Sequence, residues 1–435
     1  MVIVTGANPI VLDLAPVLYA IEIDNFGGNI VAREDGHKET VRTKPKAEFD
    51  FFHDERVRAV FYQLLTALIV SWFIWYLVSN TAKNLDERGM NTGFGFIYAT
   101  AGFDTDFKLI SYEPGVGTYG HIFLIGVLNT LYVSFLAIIA STLLGFFIGI
   151  MRLSSNWLVS KVALVYVEVF RNTPLLIQII FWYIGVFLLL PQVKNSIDLS
   201  GGAELLLLNN RGFYTVWPVP GESLWMTGLA MIVAAIAVFA IRRFAQKRQD
   251  ATGQKFSTFL PSIAVLIVLP GLVFFATGAP LGWDVPKLDG FNFAGGASLP
   301  PAFLALFVAL SIYHAAYLAE AVRAGILSVD KGQSEAAFSI GLRQSRVYSL
   351  AIIPQAMPAI VPPMISLWMN VVKNSSLAIA IGYSDIVSLF MQTALNQAGY
   401  AVEMVGMTMA FYMFVSLTIS WLLNIYNKRV QLVER

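Results

Sequence analysis

The chain has 435 residues, of which 57% are hydrophobic and only 13% charged. Its formal net charge of +1 argues against nucleic acid as a main partner, and the absence of cysteine excludes disulfides, thiolate chemistry and cysteine-ligated zinc. Several apolar runs reach the roughly 18–20 residues that cross hydrocarbon, and they are continuous rather than alternating, which predicts an all-α, polytopic membrane helix bundle and not a β-barrel.

Residues 1–56 read as a mixed tail ending in a basic run from Arg33 to Lys46. The first 20 residues lack a basic leader and carry Pro9 and Asp13, so no cleavable signal peptide is expected. The first span is predicted over 57–78, with Trp72, Trp75 and Tyr76 suited to an interface belt. A polar segment leads to the second span, 121–151, which holds Gly145-x-x-x-Gly149, a spacing that suits close helix contact. Arg152, Lys161 and Arg171 mark 152–172 as an inside connection with an amphipathic helix. A short third span covers 174–190, and 192–222 is an outside segment. The fourth and fifth spans, 224–241 and 256–276, are joined by the basic turn RRFAQKRQD. A Pro/Gly-rich outside segment, 278–300, leads to the sixth span over 301–323.

The loop that follows, 324–357, is not a Pro/Gly/Ser linker. Residues 334–340 read as a short helix, and Gly341 breaks it, since Gly costs roughly 1 kcal/mol against Ala in a helix interior. Residues 342–353 resume helical spacing, and Pro354 and Pro358 mark the next turn. A water-facing loop with its own helix is suited to meeting a partner. The seventh span, 359–372, is interrupted by Lys373-Asn374-Ser375-Ser376 and continues over 377–381; the eighth covers 402–426. Eight spans put both termini on one side. That side collects 22 of the 29 lysines and arginines and the other side 7, which places both termini and the 324–357 loop in the cytoplasm.

Within this frame a few polar residues stand out. Glu168 and Arg171 are three apart, as are Glu320 and Arg323, so each pair can meet on one helix face. They read either as structural ion pairs at the membrane surface or as supports that position the loop. Lys373, beside Asn374, Ser375 and Ser376, puts a cation inside an apolar run, where charge is expensive and usually functional. It interrupts the helix where transporters often expose backbone to substrate. Its ammonium could pair with a carboxylate, with Asn370 one turn earlier, or it could reach the outer headgroups or a neighbouring helix. Gly115-Val116-Gly117-Thr118-Tyr119-Gly120 matches GxGxxG, but it follows no strand and leads into a span, so no nucleotide site is read there. There is no GxxxxGK[ST] loop, so the chain is not expected to hydrolyse ATP. His37, His53, His121 and His314 are scattered without metal-ligand spacing. His314 suits polar contact between helices, or the lining of a path. No catalytic set emerges.

Gln333, Glu335, Ala336, Ala337 and Gly341, followed by Pro354-Gln355-Ala356, resemble the cytoplasmic loop of permease subunits of bacterial ATP-driven importers, the amino-acid family in particular. Asn129-Thr130-Leu131, the run from Val167 through Arg171-Asn172-Thr173-Pro174 to Gln178, Glu320-x-x-Arg323-x-Gly325-Ile326 and Lys373-Asn374-Ser375-Ser376-Leu377 follow in the family's order. The matches cover about 120–190 and 300–435, and the extra first span together with Leu208-Asn209-Asn210-Arg211-Gly212 looks closest to the eight-span permeases of general L-amino-acid importers. The resemblance implies a permease core in two parts, 121–191 and 301–435, with extra helices at 57–120 and in an insertion at 192–300. It implies an ATPase-coupling helix at Gln333–Gly341; residue type and spacing add Glu320, Arg323, Glu168 and Arg171 as candidates for positioning that loop and Asn370, Lys373, Asn374, Ser375 and Ser376 as a possible substrate path. The implied partners are ATP-binding subunits, a second permease that is related or identical, a periplasmic amino-acid-binding protein, an L-amino acid and the bacterial inner membrane. No cofactor is expected in this chain, ATP being bound by the partner. The competing expectation is a secondary amino-acid transporter driven by an ion gradient, which calls for an intramembrane carboxylate and repeated broken helices.

Overall fold

The computed structural model describes residues 55–87 and 92–430; residues 1–54 of the predicted 1–56 tail and the last basic residue, Arg435, lie outside them. The chain divides into two compact units after Glu87. The first unit contributes α1, Glu55–Glu87, which contains the predicted first span and runs past it. Trp72 and Tyr76, one turn apart, stack at 6.0 Å between ring centroids.

The second unit opens with a loop that closes on itself. Ala101 N donates to Gly117 O at 2.8 Å, and Thr118 then caps α2, Tyr119–Arg152, by accepting from His121 N. The GxGxxG stretch is thus the turn that starts a 34-residue helix, about 50 Å long. Asn156 caps α3, Trp157–Asn172, by accepting from Leu158 N and Val159 N. Pro174 holds Thr173 extended, at φ −97° and ψ 126°, because a residue before proline is kept out of the helical region. The chain therefore turns by 103° into α4, Leu175–Ile180, which runs on as a π segment, Phe181–Val186, and a 3-10 turn, Phe187–Leu189. The predicted short third span is the second limb of this bent element. Seven helices are long and apolar enough to cross a membrane, and the bent pair brings the number to eight among the described residues.

The 192–300 insertion contains small sheets that the apolar runs did not foretell. Strands β1, Ile197–Asp198, β2, Leu206–Asn209, and β3, Gly212–Thr215, form an antiparallel meander. Its β2–β3 turn is Asn210-Arg211, with Arg211 N donating to Asn209 Oδ1 at 2.8 Å. Gly212 closes the turn at φ +133°, against Leu299 O, where a side chain has no room. After β4, Trp217–Pro220, come α5, Leu224–Thr252, and α6, Phe259–Ala276. The predicted basic turn is not a turn: RRFAQKRQD continues α5 as a water-facing extension, and Gly253 ends it at φ +70°. Strand β5, Leu281–Asp284, pairs with β4, and β6, Lys287–Asp289, with β7, Asn292–Ala294. Strand β8, Ala297–Leu299, pairs with β3, so the insertion leaves and rejoins the bundle at one place. In the β1–β2 loop, Asp198 accepts from the amides of Ser200, Gly202 and Glu204 and from the Ser200 hydroxyl, which holds its carboxyl down at about 2.

Helix α7, Pro301–Leu327, is the centre of the bundle and the most buried of the crossing helices. Its long contact with α2 depends on the glycine pair. A methyl on Gly145 would sit 2.8 Å from Leu318 Cβ, and one on Gly149 would sit 2.9 Å from Ala319 O and 2.8 Å from Val322 Cβ. GxxxG therefore joins helices within one chain. Then come α8, Lys331–Ser339, and α9, Gln344–Val347, which passes through a π segment, Tyr348–Ile352, into α10, Ile353–Asn374. Pro354 and Pro358 do not make the predicted turn. Pro354 follows directly on the π segment, and it, Pro358, Pro362 and Pro363 are accommodated in one continuous helical run. Helix α10 tightens at Ser375 into a 3-10 helix, Ser375–Ile381, where the polar interruption was predicted. A π segment, Val387–Ala394, and the short α11, Leu395–Ala398, lead to α12, Ala401–Val430.

The core lies in layers along the bundle. Near the end that carries the sheets, Phe107, Tyr132, Phe303 and Tyr383 pack ring on ring, 5.5–6.1 Å apart. At the opposite end Leu318, Val322 and Ile326 of α7 meet Val347, Ile352, Ala356 and Ile360, with Ala337 of α8 among them.

Candidate functional site

Helix α8 begins three residues earlier than the predicted helix, because Asp330 caps it by accepting from Gly332 N at 2.6 Å. It ends at the predicted glycine. Gly341 takes φ +81°, Gly341 N donates to Phe338 O at 2.9 Å, and Leu342 N donates to Ala337 O at 3.3 Å. Of the two motif alanines, Ala337 is buried, in the apolar layer it shares with Val347 and Ile352 where α8 packs on α9 and the π segment that follows it, and Ala336 is exposed. Glu335 is exposed as well, and Gln333 Oε1 accepts from Gln355 Nε2 at 3.2 Å, joining the two motif segments. Phe338 and Ile340 stand out at 49% and 76% exposure. The helix is anchored by one alanine and presents a small acidic and apolar surface.

The expected ion pairs divide. Glu320 meets Arg323, with Oε1 to Nη2 at 2.5 Å, and also meets Arg152 of α2 at 2.7 Å, a partner that sequence spacing could not reveal. Glu168 does not pair with Arg171. Its carboxylate accepts from Asn172 Nδ2 at 3.2 Å, while the Arg171 guanidinium lies over the Tyr317 ring at 5.2 Å. Tyr317 Oη donates to Arg171 O at 3.3 Å. Three residues of spacing allowed the Glu168–Arg171 contact, but the aromatic face on α7 takes the cation instead.

On α10, Asn370 and Lys373 are exposed, and Ser366 one turn earlier joins them, so a polar stripe runs down one face of an apolar helix. Asn374 does not share it: its Nδ2 lies 3.3 Å from Nε2 of the buried His314. Ser375 is fully buried and donates to Val372 O, and Ser376 donates to Lys373 O, both at 2.7 Å. The predicted path residues therefore split into an exposed pair, Asn370 and Lys373, and groups that tie off the helix end.

Asn129 and Thr130 were visible as a motif without a role. Asn129 Nδ2 donates to Phe107 O at 2.9 Å and Ser384 O at 2.8 Å, Tyr383 Oη donates to Asn129 O at 3.0 Å, and Thr130 Oγ1 accepts from Ile386 N at 3.1 Å. Together they fasten the chain after the 3-10 helix onto α2, where Gly126 gives room for the backbone of Ile386. Asp385 in that segment is fully buried and accepts from Ser388 N at 2.9 Å, capping the π segment. The signal that could have found it is an acid set in an apolar run.

A family described as binding-protein-dependent transport system inner membrane component matches residues 243–432. The chain is similar to the general L-amino acid transport system permease protein AapQ of Rhizobium johnstonii, at 45% identity over 383 residues, covering 88% of this chain and 94% of that one. It is also similar to the glutamate/glutamine/aspartate/asparagine transport system permease protein BztB of Rhodobacter capsulatus, at 37% identity over 424 residues, covering 90% and 98%.

Proposed function

The chain belongs to the family of amino-acid ABC transporter permeases, the membrane-spanning components of binding-protein-dependent transport, and from that premise we propose that it carries polar L-amino acids of broad range across a bacterial inner membrane, driven through α8 by a separate ATPase. The observation that carries the reading is the form of α8. Anchored by Ala337 and turned back at Gly341, it leaves Glu335, Ala336, Phe338 and Ile340 free for a groove on a partner. The cargo class is supported by the relatives, one named for general L-amino acids and the other for glutamate, glutamine, aspartate and asparagine.

In this reading both termini and α8 are cytoplasmic, as the lysine and arginine bias implies. A second permease, related or identical, completes the path, two ATPase subunits dock below, and a binding protein delivers cargo from the periplasm. ATP closes the ATPase pair, α8 moves with it, and α9 and the π segment after it, on which α8 packs, carry the motion through α10 into the bundle. Glu320, held by Arg152 and Arg323, fixes α7 to α2 so that the motion is passed on rather than absorbed. Lys373 and Asn370 line the path, the ammonium meeting the cargo carboxylate. The ion-gradient alternative expects an intramembrane carboxylate, and Asp385 is buried, but its bond to Ser388 N gives it a structural use; the family favours the ATP-driven reading.

The test is Gly341→Asp and Glu335→Lys. Both should abolish uptake and co-purification of the ATPase while the chain still inserts in the membrane. Uptake at the wild-type rate in either variant would count against α8 as the coupling element.

A further inference from the structure

Apolar burial and a hydrogen bond fix different things at the end of α10. Val371 and Val372 are buried there, Val371 in the cluster that holds Leu306, Ala309 and Leu310 of α7. Burial is non-directional, so it brings the last turn of α10 against α7 without setting which way the turn faces. Three side-chain hydrogen bonds finish the turn. Two are local, from Ser375 to Val372 O and from Ser376 to Lys373 O. The third crosses to another element. Asn374 Nδ2 and His314 Nε2 lie 3.3 Å apart, and among the described residues this is the one side-chain hydrogen bond between α7 and the end of α10.

The chemistry of the ring gives that contact a direction. His314 is 2% exposed. Its Nδ1 lies 2.9 Å from Leu310 O, and a carbonyl can only accept, so Nδ1 carries the hydrogen. In the neutral ring Nε2 is then the acceptor, and the Asn374 amide turns its NH2 toward it. A backbone carbonyl of α7 thus orients the ring, and the ring orients Asn374. Asn374 directly follows Lys373 and lies four residues after Asn370, so holding it fixes the direction in which both face. The helix tightens into its 3-10 continuation at the next residue, Ser375, where hydrogen-bond geometry is poorer and the turn is least able to hold itself.

We propose that His314 is a positioning residue: through Asn374 it holds the last turn of α10 against α7 with Lys373 and Asn370 turned toward the transport path. The proposal rests on the path reading of Lys373. The ring itself is buried and acts through Asn374, not on the cargo. The hold on the turn is measured without uptake, so its failure and the failure of the path reading are distinguishable.

The test has two arms, both on the intact complex. In the first, amide hydrogen exchange over 373–376 should quicken about fivefold in His314→Leu, the effect of losing one hydrogen bond. His314→Gln, whose side-chain oxygen can accept from Asn374, should restore most of the protection. Asn374→Leu removes the same bond from the other side and should reproduce the loss, so the arm does not depend on one variant folding. In the second arm, His314→Leu should cut uptake about fivefold when Lys373 is present and little further in a Lys373→Ala background. A merely structural role would lower uptake by the same factor in both backgrounds, and that result overturns the proposal. Unchanged exchange in His314→Leu and Asn374→Leu overturns it as well. Faster exchange together with full uptake in Lys373→Ala would leave the hold on the turn standing and overturn the path reading, and with it the purpose assigned to His314.

Discussion

At Gly341 the backbone enters the left-handed region, where any residue with a Cβ is strained by about 1–2 kcal/mol. The space around it is open, so Gly341→Ala is strained by conformation and not by collision. Asn129 is the opposite case, a side chain fixed by what it satisfies. Asn129→Ala would leave Phe107 O and Ser384 O buried without their donor, and should cost about 1–3 kcal/mol, read as a lower Tm in detergent. Lys373 belongs to the path proposal. Lys373→Ala should cut uptake about tenfold, as loss of a charge-assisted hydrogen bond does, while ATPase co-purification stays intact; unchanged uptake would return Lys373 to a headgroup or helix contact. What sequence could see at this scale was residue type and spacing. It located Glu335, Ala337 and Gly341 by resemblance to a family motif, and Lys373 because it sets a cation in an apolar run. It could not find Arg152 as the partner of Glu320, 168 positions away, nor see that Tyr317 would draw Arg171 away from Glu168.

Among the elements, the α2–α7 contact is the one most dependent on small residues. Gly149→Ala would push a methyl toward Ala319 O, a backbone atom that cannot rotate aside, and should destabilise the protein by about 1–3 kcal/mol in thermal unfolding. The β1–β2 loop makes a prediction in pH. The Asp198 carboxyl sits at about 2 in the folded chain, below its unfolded value of about 3.9. Its contribution to loop order is therefore complete above pH ~4 and is lost as pH falls through about 2. Amides of Ser200, Gly202 and Glu204 should lose exchange protection over that window, and Asp198→Asn should show no such titration. Spans were legible because hydrocarbon demands long continuous apolar runs. The strands were not, because three or four residues carry too little pattern to separate strand from loop. The prolines of α10 misled because helices in apolar surroundings accept them where soluble helices break.

At the scale of the whole molecule, the eight predicted crossings correspond, among the described residues, to seven long helices and one bent pair. The insertion adds two of them without disturbing the bundle, since β3 and β8 bring its ends together. Its presence was legible as extra apolar length; its construction was not, because pairing between strands more than 80 residues apart leaves no local trace. The central claim concerns sidedness: motion enters the bundle at α8, from the face where the positive charge collects. The chain has no cysteine, so a single Ser339→Cys gives one exposed thiol on that helix. Labelled with a membrane-impermeant maleimide, it should react in inside-out vesicles and stay silent in intact cells with a permeable outer membrane, and added ATPase subunit should protect it. Labelling from the periplasmic side would contradict the account.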